Sequence, residues 1–159
     1  MNYLARREHS FYELKQKLHT KFPGLNPGAI HRVVHALRTE DLQNDERFAE
    51  SYSRYRKGLG FGYLHIRHAL RVRKVDDQKV DKHLVFDDPE WIDLAINVIR
   101  KRRRQHKSLE MSSLEKSKIT RFMESRGFSL SQIHPVPSIT TPEPKENIRG
   151  GKRCRSYDL

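Results

Sequence analysis

The sequence predicts an all-α fold: tandem three-helix repeats forming a thin array, closed by a disordered C-terminal tail. Three observations predict it. Apolar residues recur at helical spacing in one segment after another. Good capping residues stand just ahead of those segments. Only 35% of the residues are apolar against 33% charged, and the mean hydropathy is −0.86. That is too little for one thick core, but enough for helices stacked on their neighbours.

The elements follow in order. Asn2 to Arg7 reads as a short helical piece. Ser10 and Glu13 stand at capping-box spacing, opening a helix to about Thr20 with Phe11, Leu14 and Leu18 inward. Pro23-Gly24 ends it. Asn26 caps the next helix with Pro27 in its first turn, and Ile30, Val33, Val34 and Leu37 form its apolar stripe. Asn44 caps a fourth helix whose first turn carries Asp45 and Glu46, where the helix dipole favours negative charge. Phe48, Tyr52 and Tyr55 give that helix an aromatic face. Gly58, Gly60 and Gly62 break it, since glycine alone tolerates positive φ cheaply. Tyr63, Ile66 and Leu70 mark the fifth helix. Asp76 caps a short sixth helix with Val80 and Leu84 inward.

Asp88-Pro89 opens a seventh helix with Ile92, Ala95, Ile96 and Ile99 on its apolar side, ending in the basic run Arg100, Lys101, Arg102, Arg103, Arg104. Ser112 and Glu115 form a second capping box, followed by Leu114, Ile119, Phe122 and Met123, with Gly127 as C-cap. Ser129 caps a last helix that Pro135 and Pro137 cut short. Leu14/Leu18, Ile66/Leu70 and Ile119/Met123 hold the same place in three middle helices, and Phe22, Val75 and Phe128 follow each pair. The period is roughly 50 residues, as in helical arrays. The units run 1–40, 41–86 and 87–134, with 135–159 as a basic tail without periodicity, read as disordered. Without a full ninth helix, Phe122, Phe128 and Ile133 are expected to be partly exposed or covered by another chain.

Lys and Arg number 32 against 20 Asp and Glu, a formal charge of +12. The balance points to a polyanionic partner. No apolar run approaches the ~20 residues of a membrane span, and the N-terminus lacks a signal-peptide apolar region. Cys154 is the single cysteine, so no internal disulfide or thiolate cluster forms, and a reducing cytoplasm is expected.

No catalytic signature stands out. The glycines at 58, 60 and 62 lack the preceding strand of a dinucleotide site, and no phosphate loop is present. His31 and His35 have i, i+4 spacing but no glutamate between them and no third ligand; a solvated pair beside Arg32 is the reading, and a helical metallohydrolase ranks last. His65 and His68 read as packing or surface groups. No cofactor, metal or catalytic residue is expected.

A stripe of Arg54, Arg56, Lys57, Arg67, Arg71, Arg73 and Lys74 is more informative. Such a face is often merely solvated, but few acidic residues lie between Ser51 and Val75 to neutralise it. With the run Arg100 to Arg104 it is the candidate polyanion surface. Phe48 and Tyr52 read as core, while Phe61 and Tyr63 at the glycine turn read as more open and able to stack on bases. No base-reading helix pattern is evident, so DNA contacts are expected to be backbone-directed and indifferent to sequence.

Asp45-Glu46-Arg47-Phe48-Ala49, Arg56 and the glycine turn with Ile66, Arg67 and Leu70 resemble the central signature of the RecX regulatory family. Leu4 to Ser10 with Glu13-Leu14 and Lys17-Leu18 resembles the start of that family. Lys118-Ile119, Arg121-Phe122-Met123 and Arg126-Gly127-Phe128 resemble its end. The likeness covers roughly residues 3–133. It implies an elongated, curved molecule of three-helix repeats that binds the filament of the recombinase RecA on DNA along its groove. It further implies a non-enzymatic, monomeric inhibitor of recombinase activity in recombination and DNA repair, touching single- or double-stranded DNA through phosphates. A sequence-independent nucleic-acid module acting without RecA is the alternative.

Overall fold

The computed structural model describes residues 3–103 and 112–136. Arg104 and nearly all of the tail, including its expected disorder, lie outside them. The described residues are helical throughout, with no strand: α1 (Tyr3–Arg6), α2 (Phe11–Lys21), α3 (Pro27–Thr39), α4 (Asp45–Gly58), α5 (Tyr63–Val72), α6 (Asp77–Asp81), α7 (Glu90–Arg103), α8 (Ser113–Ser125) and α9 (Leu130–Ile133).

Local chemistry sets the helix ends. The Asn44 side chain accepts the amides of Glu46 and Arg47 at the head of α4, and Asp76 does the same for Gln78 at α6. The capping box of α8 is complete, with Ser112 and Glu115 exchanging bonds. At α2 only half of the expected box forms. Ser10 Oγ accepts the Glu13 amide, but the Glu13 carboxylate turns to Arg7 at 2.8 Å. Four helix ends share one device, a residue of positive φ: Asp41, Gly60, Lys74 and Gly127. In each case the next residue's amide reaches back five positions, as Val75 N does to the Leu70 carbonyl and Phe128 N to that of Met123.

The helices pack as consecutive triplets. Leu14, Ile30 and Val34 form a small core in the first, with Phe11, Leu18 and Leu37 partly buried around them. The second and third triplets share one large core running from Phe48 to Val136. Trp91 lies at its heart with no exposed surface, Tyr63 edge-on to it and its indole N–H donating to the Val85 carbonyl at 2.7 Å.

The shared core overturns several expectations. Phe128 and Ile133 are buried, because the second triplet and Val136 cover them and no other chain is needed. Tyr63 is buried rather than open at the turn. Conversely Val33, Tyr55 and Leu114 are exposed, Tyr55 by 62%, and Phe22 is exposed where Val75 and Phe128 are buried. Val33, Tyr55 and Leu114 keep the helical spacing but lie outside both buried cores.

The two joints between triplets differ in kind. The first is polar. Asp45 accepts the Phe11 amide, Gln43 Nε2 and Arg38 Nη2 at 2.7–3.0 Å; Gln43 also donates to the His9 carbonyl, and Arg47 pairs with Glu8 at 2.9 Å. The second is apolar, sealed by backbone bonds from Gly62 N to the Arg126 carbonyl (2.8 Å) and from Leu64 N to that of Gly127 (2.9 Å). Of the three turn glycines, only Gly60 has positive φ. Gly62 is needed for closeness instead: a Cβ there would stand 2.5 Å from the Gly127 carbonyl.

Candidate polyanion interface

The structure sorts the expected basic stripe into neutralised and free cations. Arg54 pairs with Glu50 one helical turn earlier, and Lys57 reaches Glu90, both at 2.5 Å, with the Lys57 ammonium over the Trp91 ring. Arg67 is held by Asp81 at 2.6 Å, by Asp77 at 3.5 Å and by the Tyr63 hydroxyl, and Tyr63 first and then Asp81 raise its pKa against the opposing effect of burial. Arg71 meets the same Asp77 at 3.4 Å. Few acids lie between 51 and 75, but carboxylates arrive from Glu50 one turn back in α4, from α6 and from α7. Lys57, Arg67 and Arg71 stitch helices together, and Arg54 pairs within α4.

Arg56 and Arg73 behave otherwise. Both are half-buried, and neither pairs with a carboxylate among the described residues. Both are in cation–π contact with Tyr52, with guanidinium carbons 5.1 and 4.8 Å from its ring centre, and Arg56 Nε donates to the Tyr52 hydroxyl at 2.9 Å. Arg56 also lies 5.2 Å from the ring of Phe61. Beyond Phe61 comes Arg126 at 5.1 Å, then Phe122 at 5.0 Å from Arg126, then Arg102 at 4.0 Å from Phe122.

The result is a ladder in which four arginines alternate with three rings: Arg73, Tyr52, Arg56, Phe61, Arg126, Phe122, Arg102. Cation–π contact is worth about 0.5–2 kcal/mol per pair and satisfies a guanidinium face without cancelling its charge. The planar groups are thus pre-aimed with edge N–H groups left over, the arrangement suited to phosphate. Arg126 also donates to the Leu59 and Gly60 carbonyls at 2.8 and 3.4 Å, clamping α8 to the glycine turn. His65 stacks on Phe61 at 4.2 Å; burial, then the charges of Arg56, His68 and Arg126, lower its pKa and favour its neutral form.

Lys74, Arg100 and Lys101 are exposed, and no carboxylate meets them among the described residues. Lys101 and Arg102 line a cleft of about 350 Å³ with Gly60, Val98 and Arg126. Arg103 sits beside Arg102 on α7. Arg126 is the residue that charge counting missed, since it stands alone in sequence and joins the others only through Phe61 and Phe122. His31 and His35 lie with ring centres 6.4 Å apart, and His31 packs edge-on to Phe11. Among the described residues no three potential metal ligands converge, and no helix is long and apolar enough to cross a membrane.

Comparison with known proteins places this geometry. Residues 44–84, which hold α4 to α6, match the model of the second three-helix domain of RecX. The regulatory protein RecX of Chromohalobacter salexigens is 37% identical over 130 residues, spanning 82% of each chain. The chain belongs to the RecX regulatory protein family. The RecX of Vibrio vulnificus is 35% identical over 130 residues, again 82% of each chain. That of Halorhodospira halophila is 35% identical over 147 residues, covering 92% of this chain and 89% of the relative. The crystal structure of RecX from Lactobacillus salivarius superposes with a TM-score of 0.65 at 24% identity, over 83% of this chain and 85% of that one. A second RecX crystal structure gives 0.70 at 23% identity, over 85% and 66%. Both share the fold. Four of the seven ladder residues (Tyr52, Arg56, Phe61, Arg73) fall inside the matched RecX domain, and Arg102, Phe122 and Arg126 come from beyond it.

Proposed function

We propose that this chain is a cytoplasmic, non-enzymatic regulator that binds the RecA–DNA filament and inhibits recombinase activity, recombination and repair. It would act as a monomer, with 1–40, 41–86 and 87–134 as its units. The observation that carries the reading is the ladder, a row of aligned, unneutralised guanidiniums on a member of the RecX family. Such a row suits a polyanion that runs past several helices, as a DNA strand or a filament groove does. Arg56, Arg73, Arg102 and Arg126 take the contact role, with Lys74, Arg100, Lys101 and Arg103 flanking them. Arg54, Lys57, Arg67 and Arg71 join through whichever N–H groups their carboxylate partners leave.

The same row would serve a module that binds DNA without RecA, and one measurement separates the two. ATP turnover by excess RecA on single-stranded DNA is titrated with this protein at two salt concentrations. The filament reading expects inhibition at substoichiometric protein, weakened for Arg102→Gln. Inhibition only at DNA saturation, fading with salt, would replace it with competition for phosphates.

A further inference from the structure

The ladder ends at Arg73 in a second cleft, of about 610 Å³, between the first and second triplets. Its volume lies in the ~300–1,000 Å³ range of small-ligand sites. Arg7, Glu13, Tyr52, Tyr55, Arg56 and Arg73 are among its walls. Phosphate contact along the ladder does not require such a cleft, so its chemistry needs a separate account.

The walls divide by role. Two carboxylates also line the cleft: Glu13 is bonded to Arg7 at 2.8 Å and 3.2 Å and feels the charge of Arg73, and Glu8 pairs with Arg47 at 2.9 Å, so three arginines outnumber two acids and neither Arg56 nor Arg73 is hydrogen-bonded to a carboxylate. Tyr52 is buried and already in contact with those two arginines. Tyr55 is different. It is one turn along α4, on the cleft wall, 62% exposed, and no ring or cation contacts it among the described residues. A large aromatic with a free face beside two π-held guanidiniums offers a stacking surface and an anion seat in one place. That pair of groups matches one nucleotide of an unpaired strand, with a base for the ring and a phosphate for the arginines. A duplex cannot use it, because its bases are stacked on one another and show only their edges.

We infer that this cleft holds a single unstacked nucleotide of a single-stranded nucleic acid, its base on Tyr55 and its phosphate on Arg56 and Arg73. The inference rests on the nucleic-acid contact proposed above and narrows it to one strand class. An acidic protein segment could also satisfy the arginines, but it has no use for the bare tyrosine face.

The test is fluorescence anisotropy of the full chain with three probes of equal phosphate number: a thymine single strand, an abasic single strand and a duplex. Tyr55→Ala and Tyr55→Phe are compared with the unaltered protein; Tyr55 is exposed, so both variants fold. The expected result is preference for the thymine strand and a loss of roughly 5- to 100-fold for Tyr55→Ala on that strand alone. Tyr55→Phe restores binding, and the salt dependence is the same for all three proteins. Equal binding of strand and duplex, or a Tyr55→Ala that loses nothing, overturns the nucleotide seat while leaving the phosphate reading standing. No binding to any probe at low salt overturns both. Binding of poly-glutamate with the same dependence on Tyr55 assigns the cleft to an acidic polypeptide and overturns the inference.

Discussion

His9 shows how much a single side chain decides at the polar joint. It is 2% exposed. Its Nδ1 meets the Arg7 carbonyl at 2.9 Å and its Nε2 meets the Lys17 ammonium at 2.9 Å. Only the neutral ring with its proton on Nδ1 fits both, donating to the carbonyl and accepting from the ammonium. Burial lowers its pKa below 6.5, the charges of Arg7 and Lys17 add to this, and the Arg7 carbonyl opposes them. The depressed value means that the unfolded chain binds the proton more readily. The stability from His9 is therefore fully present above about pH 6.5 and is lost as pH falls through the window below it. Urea unfolding at pH 7.5 and pH 5.5 should show the midpoint falling with acid, and His9→Gln should flatten that dependence. An unchanged slope in the variant would mean that other groups set it.

At the level of elements, the glycine turn makes two opposite demands within five residues. Gly58 closes α4 with open space around its Cα, so Gly58→Ala should raise stability by about 0.5–1 kcal/mol. Gly62 faces the Gly127 backbone, so Gly62→Ala forces α5 away from α8 and should lower stability by about 1–3 kcal/mol. Denaturant midpoints of the two variants check both signs, and a mild Gly62→Ala would show that the joint can open.

Sequence spacing alone could not separate these glycines, because the difference lies in a chain segment 65 residues away. The same boundary runs through the rest of the molecule. Caps and stripes made the helices legible, since those signals act within one turn. Faces were less legible: Val33, Tyr55 and Leu114 keep the spacing but are exposed, and Trp91, outside the expected stripe of α7, is the central core residue. The candidate interface was half legible. Arg56, Arg73 and Arg102 stood in basic runs, but their aromatic spacers and Arg126 come together only in the fold. The acids that silence Arg67 and Arg71 were hidden for the same reason.

Across the whole molecule, the two hydrophobic cores predict unequal stability. The first triplet buries three core residues, whereas the other two share one continuous core. Regions with few buried apolar contacts open first. Amide hydrogen exchange should therefore be faster in α2 and α3 than in α5 and α7. Asp45→Ala would strip the Phe11 amide, Gln43 and Arg38 of their shared acceptor. It should speed exchange in the first triplet while sparing Ile66, Leu70 and Ile99. Uniform acceleration across the chain would mean that the molecule unfolds as one unit.

The unlike joints also set the mechanics of the two clefts. The one lined by Lys101, Arg102 and Arg126 lies wholly inside the body formed by the second and third triplets, so its calibre is fixed by packed side chains. The one lined by Arg7, Tyr55 and Arg73 straddles the polar seam, where hydrogen bonds and ion pairs set the gap. One end of the arginine row therefore sits on a continuous apolar core, and the other across a polar seam.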